Sequence, residues 1–220
     1  MKRIISLLLT VILVITLSAT VLTSCDKKYD EDEVREAAKR LIEESILLNE
    51  IYWGEGIPYN VGDKNNSDGV YYAAIEAYHY QWGFKTIDEL RALTAKTFSK
   101  GYCQNIETTM LTGIVEGGEN VFLSRYYQKI SSLDGTPEFI MVNSDWEVEL
   151  IGRVTYDYDS IKVIGSEDET VYVTVMATVT EEGYDPQTRE IRIALVEESD
   201  GWKIDSPTYL NYDKTNLNNK

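Results

Sequence analysis

Apolar and polar positions change rhythm several times along this 220-residue chain. The first rhythm is none at all. Ile4–Thr23 is a run of twenty uncharged residues behind Lys2 and Arg3. A helical period follows over Glu33–Tyr52, where Val34, Ala38, Leu41, Ser45, Leu48 and Tyr52 recur at steps of three and four and share one face. Acidic residues crowd its first turn, where the helix dipole favours them, and Gly54, Gly56 and Pro58 stop it. Asn60–Gly69 has no period and reads as a polar loop. Val70–Trp82 is ambiguous: Ala73, Ala74 and Ala77 suit a helix, the tyrosines suit a strand, and the preferred reading is a short strand with an irregular end.

The helical period then returns. Thr86-Ile87-Asp88-Glu89 spells a capping box, in which Thr86 receives the third backbone N–H and Glu89 reaches back. It predicts a helix to Phe98 with Ile87, Leu90, Leu93 and Phe98 inward. Ser99 predicts the cap of another, over Lys100–Val115, with Cys103, Ile106, Met110 and Ile114 on one face. Gly117-Gly118 closes this half. Beyond it the period falls to two. Phe122–Lys129, Glu138–Asn143 and Asp159–Ile164 read as strands. Val171, Val173, Val175, Ala177 and Val179 alternate with Tyr172, Thr174, Met176 and Thr178, the clearest strand of all. Ile191, Ile193 and Leu195 alternate in the next one, and Ser199-Asp200-Gly201 turns into Trp202–Ile204. Short turns between successive strands predict an antiparallel meander. The expected fold class is α+β, with N-terminal helices packed on a curved antiparallel sheet.

The start of the chain carries the clearest functional signal. A basic head, an apolar run and small residues before a cut site are the parts of a secretory signal. The closing Leu22-Thr23-Ser24-Cys25 resembles the lipobox of bacterial lipoproteins. That resemblance implies cleavage before Cys25, acylation of its thiol, and a mature chain on the outer face of the cell membrane, held by a lipid anchor. The competing reading is an uncleaved span, since twenty apolar residues can cross a bilayer. Either way residues 26–220 lie outside the cytoplasm. The expected organisation is a signal peptide over 1–24, a lipidated tether over 25–32, one α+β domain over 33–208 and a polar tail over 209–220.

Composition narrows the partners. Removing residues 1–24 takes away two cations and no anions, leaving 19 Lys+Arg against 37 Asp+Glu, a net charge of −18. Such a surface disfavours nucleic acid, whose binding rests on basic patches, and favours solubility, basic partners or weakly held cations. Cys103 is the only cysteine left once Cys25 is acylated, so no intramolecular disulfide is expected. An apolar helix face makes it a core thiol and not a nucleophile. Sixteen tyrosines against four phenylalanines suit half-exposed sheet surfaces and wet clefts.

Candidate chemistry is sparse. Asp63, Asn65, Ser67 and Asp68 invite a calcium reading, but the sixth position of such a loop is Asp68 where Gly is needed and the twelfth is Ala74 where Glu is needed. No metal site and no cofactor are assigned. His79, the only histidine, sits between Tyr78 and Tyr80 and is open to two readings, a general base or a satisfied edge residue. Asp157 and Asp159 would stand on one face of an extended strand, about 7 Å apart. Tyr72, Tyr78, His79, Trp82, Asp157 and Asp159 are therefore the expected lining of a ligand pocket, and no catalytic set is assigned.

The order of elements resembles the nuclear-transport-factor-2-like (NTF2-like) superfamily, the α+β cone shared with cystatin-like domains. The likeness rests on the leading helix, the capped helix Thr86–Phe98, the long hairpins and the closing Asp200-Gly201-Trp202-Lys203-Ile204. Lys85–Leu90 followed by Thr97–Tyr102 also resembles secreted inhibitors of cell-wall DL-endopeptidases. These likenesses imply a cone with a concave pocket. They imply three functions: a non-catalytic binding, accessory or inhibitor module at the envelope, a pocket for a sugar or peptidoglycan fragment, or an enzyme of the cone fold. The implied partners are an envelope protein or a cell-wall ligand.

Overall fold

The computed structural model describes residues 29–63, 67–116, 119–150 and 152–213. The signal and lipobox, including Cys25, lie outside them, as do Gly117-Gly118 and the end of the tail. The chain divides into two compact units, Met1–Glu33 and Val34–Lys220. The second unit contains every described strand, the described helices after the first, and the first from Val34 onward.

That first helix, α1 (Glu31–Tyr52), forms where its period predicts. Asp30 accepts the backbone N–H groups of Asp32 and Glu33 at 2.8 and 3.3 Å, a cap worth about 1 kcal/mol. Its buried stripe is Val34, Ala38, Leu41, Ile42, Ser45, Leu48, Asn49, Ile51 and Tyr52. Each fully buried Leu or Ile of this stripe contributes about 1.5–3 kcal/mol.

The C-terminus of α1 is closed by groups far away in sequence. The last carbonyls of a helix have no partner within it and must find one elsewhere. Here Asn49 O takes the N–H of Trp53 and Gly54, and Glu50 O takes those of Gly54 and Gly56. Ile51 O accepts the Tyr126 hydroxyl at 2.5 Å. Tyr52 O and Gly54 O each accept one arm of the Arg125 guanidinium at 2.7 Å. Trp53 O accepts the N–H of Glu149 and Leu150. Arg125 is 2 % exposed, and its cation lies 5.3 Å from the Tyr126 ring centre and 5.9 Å from that of Trp146. The partial negative charge of the helix end is the counter-charge this buried cation meets.

After α1 the chain makes β1 (Ser67–Asp68) and β2 (Tyr71–Ala73), then α2 (Ala77–Trp82). The ambiguous Val70–Trp82 stretch is thus both strand and helix. Thr86 and Glu89 form the reciprocal capping box, which opens α3 (Ile87–Thr97). Ser99 caps α4 (Lys100–Ile106) by accepting Tyr102 N–H. The helix expected to Val115 departs from prediction here. It widens into a π-helical stretch over Glu107–Thr112, breaks at Gly113 (φ +73°), and Ile114–Glu116 is already a strand. The apolar residues at helical steps could not register this, because β-branched Ile114 and Val115 suit a strand equally.

That strand, β3 (Ile114–Glu116), pairs with β4 (Glu119–Phe122) as a two-stranded ribbon. Next come β5 (Tyr126–Ile130) and β6 (Pro137–Asn143), and then β7 (Arg153–Glu167), β8 (Thr170–Thr180), β9 (Gln187–Glu198) and β10 (Gly201–Ile204). Among the described residues they build two four-stranded antiparallel sheets, β1-β2-β6-β5 and the meander β10-β9-β8-β7. The class is α+β. Two details of the expectation are corrected. The helices do not all lead, because β1 and β2 precede α2–α4. The strands do not form one sheet, because the chain between β6 and β7 spends the N–H groups of Glu149 and Leu150 on Trp53 O and not on a neighbouring strand.

The apolar face of β8 is buried along its whole length, and Thr174 on the other face is buried as well. Val171, Val173, Val175, Ala177 and Val179 are all buried, paired with Leu195, Ile193 and Ile191 of β9 on the same face. Tyr209–Asp213, expected as part of a polar tail, pack onto the fold. Tyr212 is buried and its hydroxyl donates to Asp185 O, while Gln187 exchanges two hydrogen bonds with the Asp213 backbone.

Cys103 is half-buried, less enclosed than a core position. Its thiol donates to Phe98 O at 3.5 Å. Burial pushes its pKa up to about 11, with the Glu198 carboxylate adding and Lys203 opposing. At pH 8 the thiolate is the rare form, so iodoacetamide alkylation of the folded chain is expected to run about a hundredfold slower than for an ordinary thiol and to accelerate about tenfold per pH unit. Mass-spectrometric timing of Cys103 labelling between pH 7 and pH 10 checks this. A rate equal to that of the urea-unfolded chain would contradict it.

Candidate functional site

The residues expected to line one pocket do not converge. Tyr72 on β2 is half-buried and stacks on Tyr59, ring centres 6.0 Å apart. Trp82 ends α2 with its ring 6.3 Å from Phe84. Tyr78 is on α2, and its side chain lies outside the described set. Asp157 and Asp159 are both exposed. They are not a simple extended pair, because β7 bulges over the stretch from Asp157 to Lys162: Asp157 faces Met176 of β8, yet Lys162 already faces Thr174. Ser160 pins the bulge by donating to Asp157 O and accepting Met176 N–H, and Asp157 accepts the N–H of Asp159. Their visible work is to shape the strand.

His79 is buried rather than at an edge, and among the described residues its Nε2 has no hydrogen-bond partner. It lines a cavity of about 520 Å³ with Asp63, Glu76, Glu138, Lys85 and Phe139. Neither Asp157 nor Asp159 lines it. The structure therefore separates the histidine from the two aspartates it was grouped with. Among the described residues, no group of three or more His, Cys, Asp or Glu side chains is placed to hold a metal ion.

The larger opening lies elsewhere. A cleft of about 790 Å³ runs between the flank of α1, the loop after it, the start of β7 and Tyr209. Its walls are apolar where Ile46 and Leu47 of α1 face Leu150 and Val154. Tyr156 and Tyr209 add aromatic surface. Tyr156 is held by a hydrogen bond from its hydroxyl to Thr208 O at 2.8 Å, and the Tyr209 ring lies 5.1 Å from that of Trp53. Burial raises the pKa of both phenols, helped by Tyr158 beside Tyr156 and by the Glu149 carboxylate near Tyr209. Both are neutral at physiological pH. Four glutamates, Glu43, Glu50, Glu55 and Glu181, line the cleft against one guanidinium, Arg153.

One buried polar group also belongs to it. Asn49 lines the cleft and is 3 % exposed. Its Nδ2 donates to Thr208 Oγ1 at 2.8 Å, while its Oδ1 has no partner among the described residues. Thr208 is fully buried and bonds Ser45 at 2.7 Å, and Ser45 donates to Ile42 O. This network ties the segment after β10 to α1. Sequence reading missed Asn49, although a signal was present: Ser45 and Asn49 put polar residues four apart on a helix face that is otherwise apolar. Tyr156, Tyr209 and Arg125 had no such signal.

Among the described lining residues the cleft presents no Ser, Thr, Cys or His. Its lining is made of carboxylates, neutral phenols, one amide, one guanidinium and apolar walls. No protein-family model, curated protein or solved structure matches the chain.

Proposed function

We propose that this chain is a non-catalytic, lipid-anchored extracytoplasmic binding module, held through Cys25 on the outer face of a cell membrane, with the cleft beside α1 as its ligand site. The observation that carries the reading is that cleft: about 790 Å³, walled by Ile46, Leu47, Leu150 and Val154, with the neutral phenols of Tyr156 and Tyr209 in its lining. The anchor rests on the apolar run and Leu22–Cys25; two acyl chains suffice for stable attachment. Among the described residues no helix is long and apolar enough to cross a membrane.

The NTF2-like cone and the inhibitor likeness belong to the same proposal. Their support is α1 packed beside the meander, where Lys39 of α1 lies 5.8 Å over the Tyr158 ring, and the closing hairpin of β9 and β10. An accessory or inhibitor role would place an envelope protein or a cell-wall ligand at this surface. The His79 cavity favours a second reading, a pocket for a small polyhydroxylated ligand such as a sugar. There Phe139 adds apolar surface, and the carboxylates of Asp63, Glu76 and Glu138 offer hydrogen bonds.

Ile46 is 44 % exposed, so Ile46→Trp is expected to fill the cleft without disturbing the core. The immobilised Asp26–Lys220 form should retain a component of envelope extract that the Ile46→Trp form releases. Equal retention by both forms would rule out the cleft as the ligand site. Separately, Cys25→Ser is expected to abolish signal processing and acyl labelling, and normal processing would overturn the anchor.

A further inference from the structure

The face of the meander turned away from α1 carries its charges in rows. Tyr156 and its partner Ala177 mark the inner face, where the Tyr156 hydroxyl meets the Thr208 that bonds Ser45 of α1. Neighbouring residues on each strand point the other way. There Asp157 pairs with Met176 and Met176 with Glu190, which makes one row across three strands. In the next row Lys162 pairs with Thr174 and Thr174 with Arg192. One row is acidic at both ends and the other basic at both ends. All four charged residues are exposed, and none enters an ion pair among the described residues. The Arg192 guanidinium lies 3.7 Å over the Tyr172 ring, which holds it flat on the sheet with its N–H edges open to an acceptor. The flanking rows are uncharged: Gly165, Tyr172 and Ala194 on one side, Thr155, Thr178 and Thr188 on the other.

This pattern is its own complement. Two copies can meet face to face about a two-fold axis that crosses the strands at Val175, midway between the charged rows. Asp157 then meets Lys162 of the other copy, Glu190 meets Arg192, Met176 meets Thr174 and Tyr172 meets Thr178. The strands of the two sheets stay aligned, an ordinary packing for sheets about 10 Å apart. Moving the axis by one residue either way sets acid against acid or base against base. An axis along β8 does the same, since it lays Asp157 over Glu190 and Lys162 over Arg192. Like charges across an interface are strongly disfavoured, so one two-fold arrangement satisfies all four groups.

We propose that the outer face of β7, β8 and β9 is a dimer interface whose occupant is a second copy of this chain, with Asp157–Lys162 and Glu190–Arg192 pairs between copies fixing the register. Three strands by the length of β8 make a patch of about 14 by 35 Å, or roughly 500 Å² per copy. That is less than the about 800 Å² per partner of a standard stable interface, so the dimer is reversible. It goes beyond the binding-module reading and does not depend on the cleft, which lies on the α1 side of the sheet.

The test mixes the full chain in detergent with its nitrogen-15-labelled counterpart over a series of concentrations. A water-soluble carbodiimide then joins lysine amines to carboxylates in contact. Mass spectrometry is expected to find Lys162 joined to Asp157 in mixed-isotope peptide pairs, which only two copies can give, with a yield that rises with concentration. Arg192→Glu is expected to weaken the dimer about tenfold, because one substitution counts twice in a two-fold interface and turns attraction into repulsion. Glu190→Arg/Arg192→Glu keeps the net charge and reverses both members of the pair, so the cross-link should return toward the wild-type yield. Both positions are exposed, and circular dichroism is expected to show the wild-type fold in each variant. Lys162 links confined to one isotope, a mixed-isotope link at other residues in place of this one, a yield unchanged in Arg192→Glu, or no recovery in the double variant would each overturn the proposal.

Discussion

Replacing Arg125 with methionine is expected to cost about 3 kcal/mol of folding stability. The guanidinium is 2 % exposed and donates to Tyr52 O and Gly54 O, both at 2.7 Å. Hydrogen bonds to a charged donor contribute about 1.5–3 kcal/mol each, and losing two leaves two helix-end carbonyls without partners in a buried site. One effect opposes this. Methionine also removes a buried charge whose Nε has no partner among the described residues, and relief of that desolvation returns part of the loss. The carbonyls win because nothing near them can replace the fork. Arg125→Lys is expected to lose nearly as much, since one ammonium on a flexible stem cannot span both oxygens. In urea titration both variants should show a lower midpoint with an unchanged slope. In a thermal scan about 3 kcal/mol corresponds to a drop of roughly 6–12 °C for a domain of this size. A midpoint equal to wild type in Arg125→Met would show that the helix end does not depend on the arginine.

Gly56→Ala is expected to be the next most damaging change and to act partly through the same residue. Gly56 has φ +77°, a conformation that costs an L-residue about 1–2 kcal/mol. An added Cβ would lie 2.2 Å from Arg125 Nη2 and 2.3 Å from the Tyr126 hydroxyl oxygen. Neither atom can step aside freely. The arginine is held by two carbonyls, and Tyr126 is fully buried with its hydroxyl donating to Ile51 O and accepting Ile57 N–H. The total is about 3 kcal/mol or more, and it divides in a testable way. In an Arg125→Met background the clash with the guanidinium is gone, so Gly56→Ala should cost clearly less there than in wild type. Equal costs in both backgrounds would mean that the backbone conformation alone is responsible and that the contact with Arg125 is not.

Much of the secondary structure was legible because it is set locally. The stripe Val34, Ala38, Leu41, Ser45, Leu48 and Tyr52 names the buried face of α1 correctly, since a helix puts residues three and four apart on one side whatever covers them. The box Thr86–Glu89 closes within four residues and forms as written. The alternation of β8 holds to its last valine. Misreadings cluster where two local codes compete. Val70–Trp82 carries alanines and tyrosines and resolves into a strand followed by a helix. Ile114 and Val115 fit a helical step and a strand equally, and Gly113 decides between them. Less of the candidate site was legible. Tyr72, His79, Trp82, Asp157 and Asp159 were grouped by residue type, and the structure spreads them over two sheets and α2, with the aspartates shaping a bulge.

By itself, then, the sequence determined the helix and strand faces, the α+β class and the acidic balance, and it supplies the motif on which the Cys25 anchor is proposed. All of these are properties of neighbours along the chain or of totals over it. Only the tertiary structure decided what closes α1, which residues meet in the cleft beside it and what holds Asn49. Arg125 reaches Tyr52 across 73 residues, and Asn49 reaches Thr208 across 159. Pairings at such separations leave no period in the sequence. They are selected by where the packed elements bring donors and acceptors together, because a buried polar group without a partner is too costly to leave unresolved.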